Sequence, residues 1–203
     1  MSHFILGAGG HCKSVISSAQ AQGLEISGIL DIKPKSKKIL NCKVLEENSH
    51  KWNEKNKYLI AVRDSKLKKK LIKKIYAKIK YPKFFNIIHP TSVVSEGVNL
   101  GTGTCILANS YIGPDTVIGD HVCINSACVI EHDCIIGDET YMSPSVNVAG
   151  SVIVGKETFL GINSSIADNI SISANTIIGA SSLVLSNIEV SNQTFIGTPA
   201  KPI

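Results

Sequence analysis

Between residues 94 and 196 a large apolar side chain recurs at every sixth position. The series is Val94, Leu100, Ile106, Ile112, Ile118, Ile124, Ile130, Ile136, Met142, Val148, Val154, Leu160, Ile166, Ile172, Ile178, Val184, Val190 and Ile196. The next position is often glycine, as at Gly101, Gly113, Gly119, Gly137, Gly155, Gly161, Gly179 and Gly197. The position two before is small or β-branched, as at Thr104, Ser110, Thr116, Cys128 and Cys134. A period of six is neither helical nor that of an alternating strand. It predicts a hexapeptide parallel β-helix, in which three hexads close one triangular coil. The aliphatic residue points inward and stacks on its counterpart one coil away, at a strand spacing of about 4.8 Å. The glycines are expected at the corners, supplying backbone angles that a Cβ would penalise. A sandwich or barrel of short strands does not keep hexad register over this length.

The first ninety residues follow other periods. An apolar run at 3–6 is followed by Gly7-Ala8-Gly9-Gly10-His11 and an amphipathic stretch over 13–22. This predicts strand, glycine turn and helix. Further strands are expected at 26–30 and 58–62, and a helix from Asp64 or Ser65 to about residue 80. Residues 32–57 read as a loop. A glycine turn at the C-terminal edge of a parallel strand is where such sheets bind ligands. The spacing is only G-x-G, with Cys12 where a dinucleotide fingerprint has its third glycine. Asp31, closing the second strand, is placed to accept from a ribose or a base. Domains are therefore expected at 1–88 and 89–203.

Charge divides at the same place. Residues 1–90 carry 19 Lys+Arg against 6 Asp+Glu, whereas residues 91–203 carry 2 against 10. The lysines over 66–80 surround Leu67, Leu71, Ile75 and Ile79 at helical spacing, which reads as a solvated helix face. With no interleaved aromatics, nucleic-acid binding is not expected. No apolar window approaches a membrane-spanning length, and the N-terminus has no signal-peptide pattern, so a cytoplasmic protein is expected. The six cysteines contain no C-x-x-C pair and read as packing thiols, with Cys105 and Cys123 one coil apart.

Histidines are scarce on the solenoid. Only His121 and His132 fall between residues 91 and 203. His121 reads as a surface corner residue. His132 lies just past the inward Ile130, at an outward corner, with Glu131 and Asp133 beside it and Gly150 one coil on. An imidazole there can take a proton from an attacking amine or hydroxyl, and a carboxylate can fix its tautomer. Adjacent side chains diverge, so the contact to the imidazole is expected either through backbone geometry or from another coil. An exposed corner histidine without chemistry is the plain alternative. A zinc site of the hexapeptide carbonic anhydrase kind needs three histidines, and no metal is expected.

The whole chain resembles the sialic acid O-acetyltransferase and UDP-bacillosamine N-acetyltransferase family of bacterial sugar acyltransferases. The resemblance is carried by Gly7-Ala8-Gly9-Gly10-His11, Ile130-Glu131-His132-Asp133-Cys134, Val148-Ala149-Gly150, Phe159-Leu160-Gly161-Ile162-Asn163-Ser164 and Gly197-Thr198-Pro199-Ala200-Lys201. It implies an α/β Rossmann-like N-terminal unit followed by an all-β left-handed parallel β-helix. It implies direct acetyl transfer from acetyl-CoA to a sugar, with His132 as general base and Asp133 raising its basicity. By position, Tyr141, Ile162 and Ala180 match acetyl-CoA contacts. Tyr141 stands where a relative has histidine, and Ala180 where it has glycine. Gly9, Gly10, His11 and Asp31 match the nucleotide-sugar pocket, and Arg63 lies where a relative has glycine. A homotrimer is implied. A UDP-linked amino sugar is the first expectation, a sialic acid or related nonulosonate acceptor the second, and a non-catalytic nucleotide-sugar scaffold the third.

Overall fold

The computed structural model describes all 203 residues. The chain divides into two compact units, Met1–Ile87 and Ile88–Ile203.

In the first unit, β1 (His3–Leu6), α1 (Gly10–Ala21), β2 (Gly28–Asp31), β3 (Lys38–Ile39), β4 (Cys42–Glu46), β5 (Lys57–Ile60), α2 (Ser65–Lys78) and β6 (Lys83–Phe84) follow in order. The strands form one sheet, β3-β4-β2-β1-β5-β6. All pairs are parallel except the β3–β4 hairpin. The central strands read as apolar runs rather than alternations because both faces are covered: Ile5, Leu6, Ile29, Leu30, Tyr58 and Leu59 are all buried. Asp64 caps α2, its Oδ1 accepting from Leu67 N–H at 2.7 Å. Leu71 and Ile75 turn inward, and most of the lysines lie at the surface. Residues 32–57, expected as a loop, instead hold β3, β4 and a 3-10 turn at Glu47–Ser49. β4 is mostly exposed, so its sequence lacks the apolar run that marks a core strand.

The second unit is a left-handed β-helix of two-residue strands in three stacked sheets. Strands on one side lie eighteen residues apart and in register, as in Val94↔Ile112, Ile112↔Ile130, Ile130↔Val148 and Val148↔Ile166. The inward residues from Ile106 to Val184 form one continuous core. Burying each such side chain contributes about 1.5–3 kcal/mol. Side chains two positions earlier are also buried, and their donors meet a carbonyl fifteen residues on. Thr104 Oγ1 donates to Gly119 O at 3.1 Å, Ser110 Oγ to Asn125 O at 2.9 Å, and Thr116 Oγ1 to Glu131 O at 3.0 Å. Cys128 and Cys134 do the same through Sγ, each at 3.2 Å. Cys105 lies opposite Cys123, and all six cysteines are free and buried.

Two expectations are corrected. The glycine after each inward residue is not where the backbone turns left-handed. That turn falls two residues later, at Asn109, Asp115, His121, Ala127, Asp133 and each sixth residue through Ser181. The glycines are needed because the next coil leaves no room: a Cβ on Gly113 would meet Glu131 C and His132 N at 2.7 Å. The sixfold series also ends early. Val190 and Ile196 are exposed, at 55% and 44%. Ile188 bridges to Ile172 and Phe195 pairs with Ile178, so the last coil is shortened. The Asn187 side chain takes the N–H of Ser171 at 2.9 Å, and Ile188 N–H donates to Ser171 O, which draws the corner tight.

Candidate active site

His132 occupies the corner between the strands Val129–Ile130 and Ile135–Ile136. Its Nδ1 lies 2.7 Å from Asp133 Oδ2. A carboxylate only accepts, so Nδ1 carries the proton and Nε2 presents a lone pair. The φ of 58° at Asp133 makes this contact between neighbours feasible, folding its side chain back beside the imidazole. Aspartate tolerates that left-handed geometry better than most residues. The pair is held from both sides: Asp133 N–H donates to Pro114 O at 3.0 Å, and His132 O accepts from Ser151 N–H at 2.9 Å. Gly150, one coil on, gives the ring its space. A Cβ there would lie 2.7 Å from Cε1 and 2.8 Å from Nε2. Both His132 and Asp133 are more than half exposed. Cys134, next along, is buried, and burial pushes its thiol up, which makes it a poor nucleophile. His121, expected at the surface, is buried, with its N–H bonded to Thr102 O at 2.8 Å.

The residues matched to acetyl-CoA contacts lie elsewhere on the prism. Ile162 and Ala180 are exposed and one coil apart, on the corner between the sides carrying Phe159–Leu160 and Ser165–Ile166. That corner is one full side away from the His132 edge. Tyr141 is buried on the flat side, stacked on Phe159 with ring centroids 5.8 Å apart and planes 7° from parallel.

In the first unit, Gly9 caps α1 without a side-chain bond, and a Cβ on Gly9 or Gly10 would meet nothing within 4 Å. This leaves the helix N-terminus open to an anion. Asp31 ties the glycine loop to the end of β2: Oδ2 accepts from Ala8 N–H at 2.8 Å and Oδ1 from Lys33 N–H at 2.9 Å. His11 is mostly buried. Burial, then the charges of Lys68 and Arg63, lower its pKa to about 4, so it is a neutral imidazole at pH 7. Arg63 itself is exposed. A pocket of about 100 Å³ opens between the strand ends and α2. Gly7, Asp31 and Glu47 line it together with Leu30, Ile32, Val62, Leu67 and Leu71. Glu47 was missed from the sequence; it is 1% exposed and paired with Lys74 Nζ at 2.9 Å. A carboxylate directly after β4 was the only signal available. No three His, Cys, Asp or Glu side chains are grouped to hold a metal. No helix is long and apolar enough to cross a membrane.

The family of the PglD N-terminal domain matches residues 4–75. No curated protein matches the chain by sequence. Among solved structures, PerB from Caulobacter crescentus, in complex with CoA and GDP-perosamine, is 32% identical. The match covers 100% of this chain and 97% of that one, with a TM-score of 0.89. The acetyltransferase domain of PglB from Neisseria gonorrhoeae is 25% identical over 100% and 99% of the two chains, with a TM-score of 0.89. WeeI from Acinetobacter baumannii shares the fold over the full length of both chains at 20% identity, with a TM-score of 0.89. With this fold, and with these relatives, the chain belongs to the bacterial sugar acyltransferase family and is an acetyl-CoA-dependent acetyltransferase.

Proposed function

We propose that the chain acetylates the amine of a nucleoside-diphosphate amino sugar used in bacterial surface glycan biosynthesis. The observation that carries this is the exposed His132–Asp133 pair, whose Nε2 lies beside Gly150. In this reading Nε2 removes a proton from the sugar amine as the nitrogen attacks the thioester carbonyl. Asp133 stabilises the imidazolium that forms. The C–S bond then breaks, and the imidazolium returns its proton to the departing thiolate. The raised pKa of Cys134 favours direct transfer over a covalent enzyme thioester.

The nucleotide is proposed to lie on the first unit. Its phosphates would sit at Gly9 and Gly10, its ribose near Asp31, with His11 and Arg63 alongside. UDP is the expectation from the sequence, while PerB is seen with GDP-perosamine. Acetyl-CoA is proposed to run along the Ile162–Ala180 corner, near Tyr141.

Two features support the homotrimer. Val117, Ile135 and Ile153 stack in register as an apolar stripe, 40%, 46% and 45% exposed, just past the His132 corner. The His132 and Ile162 edges also belong to different corners of one prism, and in the proposed assembly a neighbouring copy brings them together. Free cysteines throughout, and the requirement for acetyl-CoA, favour a cytoplasmic enzyme.

The test is a panel of UDP- and GDP-linked 4-amino sugars and free nonulosonates with acetyl-CoA, read as released CoA thiol. Acetylation of a nucleotide amino sugar to a hydroxylamine-resistant amide supports the proposal. Turnover only with nonulosonates, giving a hydroxylamine-labile ester, would replace it with O-acetylation. Nucleotide-sugar binding without thiol release would make the chain a scaffold.

A further inference from the structure

We infer that the pocket of the first unit takes a guanine base and that Glu47 selects it. This rests on the nucleotide-sugar reading above. The acetyl transfer itself gives Glu47 no role, yet its carboxylate is 1% exposed and forms part of the pocket wall. A buried carboxylate is costly unless it is partnered. Its protein partner is Lys74 Nζ, 2.9 Å from Oε1, which balances the charge. A carboxylate offers about four acceptor positions on its two oxygens, and one ammonium leaves the rest open. Asp31, the other carboxylate at the pocket, is already engaged by the N–H groups of Ala8 and Lys33. Glu47 is therefore the acceptor left for a ligand, among the apolar walls of Ile32, Leu67 and Leu71 that suit a flat ring.

The bases differ in what they offer such a carboxylate. Guanine presents N1–H and the 2-amino group side by side, two parallel donors for its two oxygens. Uracil presents one N–H flanked by two carbonyl oxygens, which a carboxylate repels. Adenine sets a bare ring nitrogen beside its amino group, so one donor is met and one lone pair opposed. Inosine keeps N1–H but lacks the 2-amino group, which makes it the sharpest probe.

The experiment is titration calorimetry of the full chain with GDP, IDP and UDP, without acetyl-CoA. GDP should bind about tenfold tighter than IDP, the scale of one hydrogen bond to a charged acceptor. UDP should bind no tighter than IDP. Glu47→Gln should remove the GDP preference while leaving UDP binding unchanged, since Lys74 is a third exposed and can turn to water. Equal affinity for GDP and IDP in the unaltered protein would overturn the inference without any variant. So would a folded Glu47→Gln that still prefers GDP. Tighter binding of UDP would overturn the guanine assignment and leave the nucleotide-sugar reading standing. Failure of all three to bind would overturn both.

Discussion

Gly150→Ala isolates the placement of the His132 ring. The added methyl would stand 2.7 Å from Cε1 and 2.8 Å from Nε2, where carbon contacts settle at 3.5 Å or more. The ring must therefore retreat by about 1 Å. It is more than half exposed, so it can swing outward, but doing so stretches the 2.7 Å bond to Asp133 Oδ2. Gly150 is outside the left-handed region, so alanine brings no backbone strain, and its carbonyl keeps the bond from Asn169 N–H at 3.0 Å. The fold should hold while the chemistry suffers. A displacement of about 1 Å at a reacting group costs on the order of a hundredfold in rate. Steady-state CoA release should show kcat falling by about that factor with KM for acetyl-CoA little changed. Thermal melting should match the unaltered protein. A folded Gly150→Ala enzyme with normal kcat would refute the reasoning that His132 works from this position.

Three further outcomes follow from the same geometry. Asp133→Asn keeps a residue that tolerates φ 58° but removes the charge facing the imidazolium, so kcat should fall at least about tenfold with the melting temperature unchanged. Gly113→Ala pushes a methyl against backbone atoms of the next coil at 2.7 Å and should cost about 1–3 kcal/mol in denaturant melts, whereas Gly9→Ala, with open space around it, should leave stability nearly unaltered. His11 has a folded pKa of about 4, below its unfolded value, so the unfolded chain takes up the proton first as pH falls. Its stabilisation is full above about pH 6.5 and declines towards pH 4, amounting to about 2 kcal/mol between pH 7 and pH 5. Urea unfolding at the two pH values, with His11→Gln flattening that part of the difference, checks it.

The solenoid was legible because a repeated register writes the same constraint many times: Ile112, Ile130, Val148 and Ile166 each say the same thing. The role of its glycines was not legible. Crowding from a neighbouring coil and a left-handed φ both select glycine, and only coordinates separate them. The ending was missed because Val190 and Ile196 keep the sixfold pattern, while the side-chain bond from Asn187 to Ser171 that shortens the coil has no periodic trace. At the site, His132 stood out by scarcity. Its contact with Asp133 depended on a left-handed corner that the sequence assigned to the glycines. Glu47 was hidden because β4 is a mostly exposed strand inside a polar stretch, and one carboxylate among charged neighbours carries no periodic signal.

The most direct measurement is single-turnover acetyl transfer by His132→Ala, with binding of acetyl-CoA and nucleotide verified beforehand. With Nε2 as the base, both ligands bind normally and the chemical step slows by about 10²- to 10⁴-fold. Transfer at the unaltered rate from the ligand-bound variant would contradict the assignment of this imidazole to the reaction.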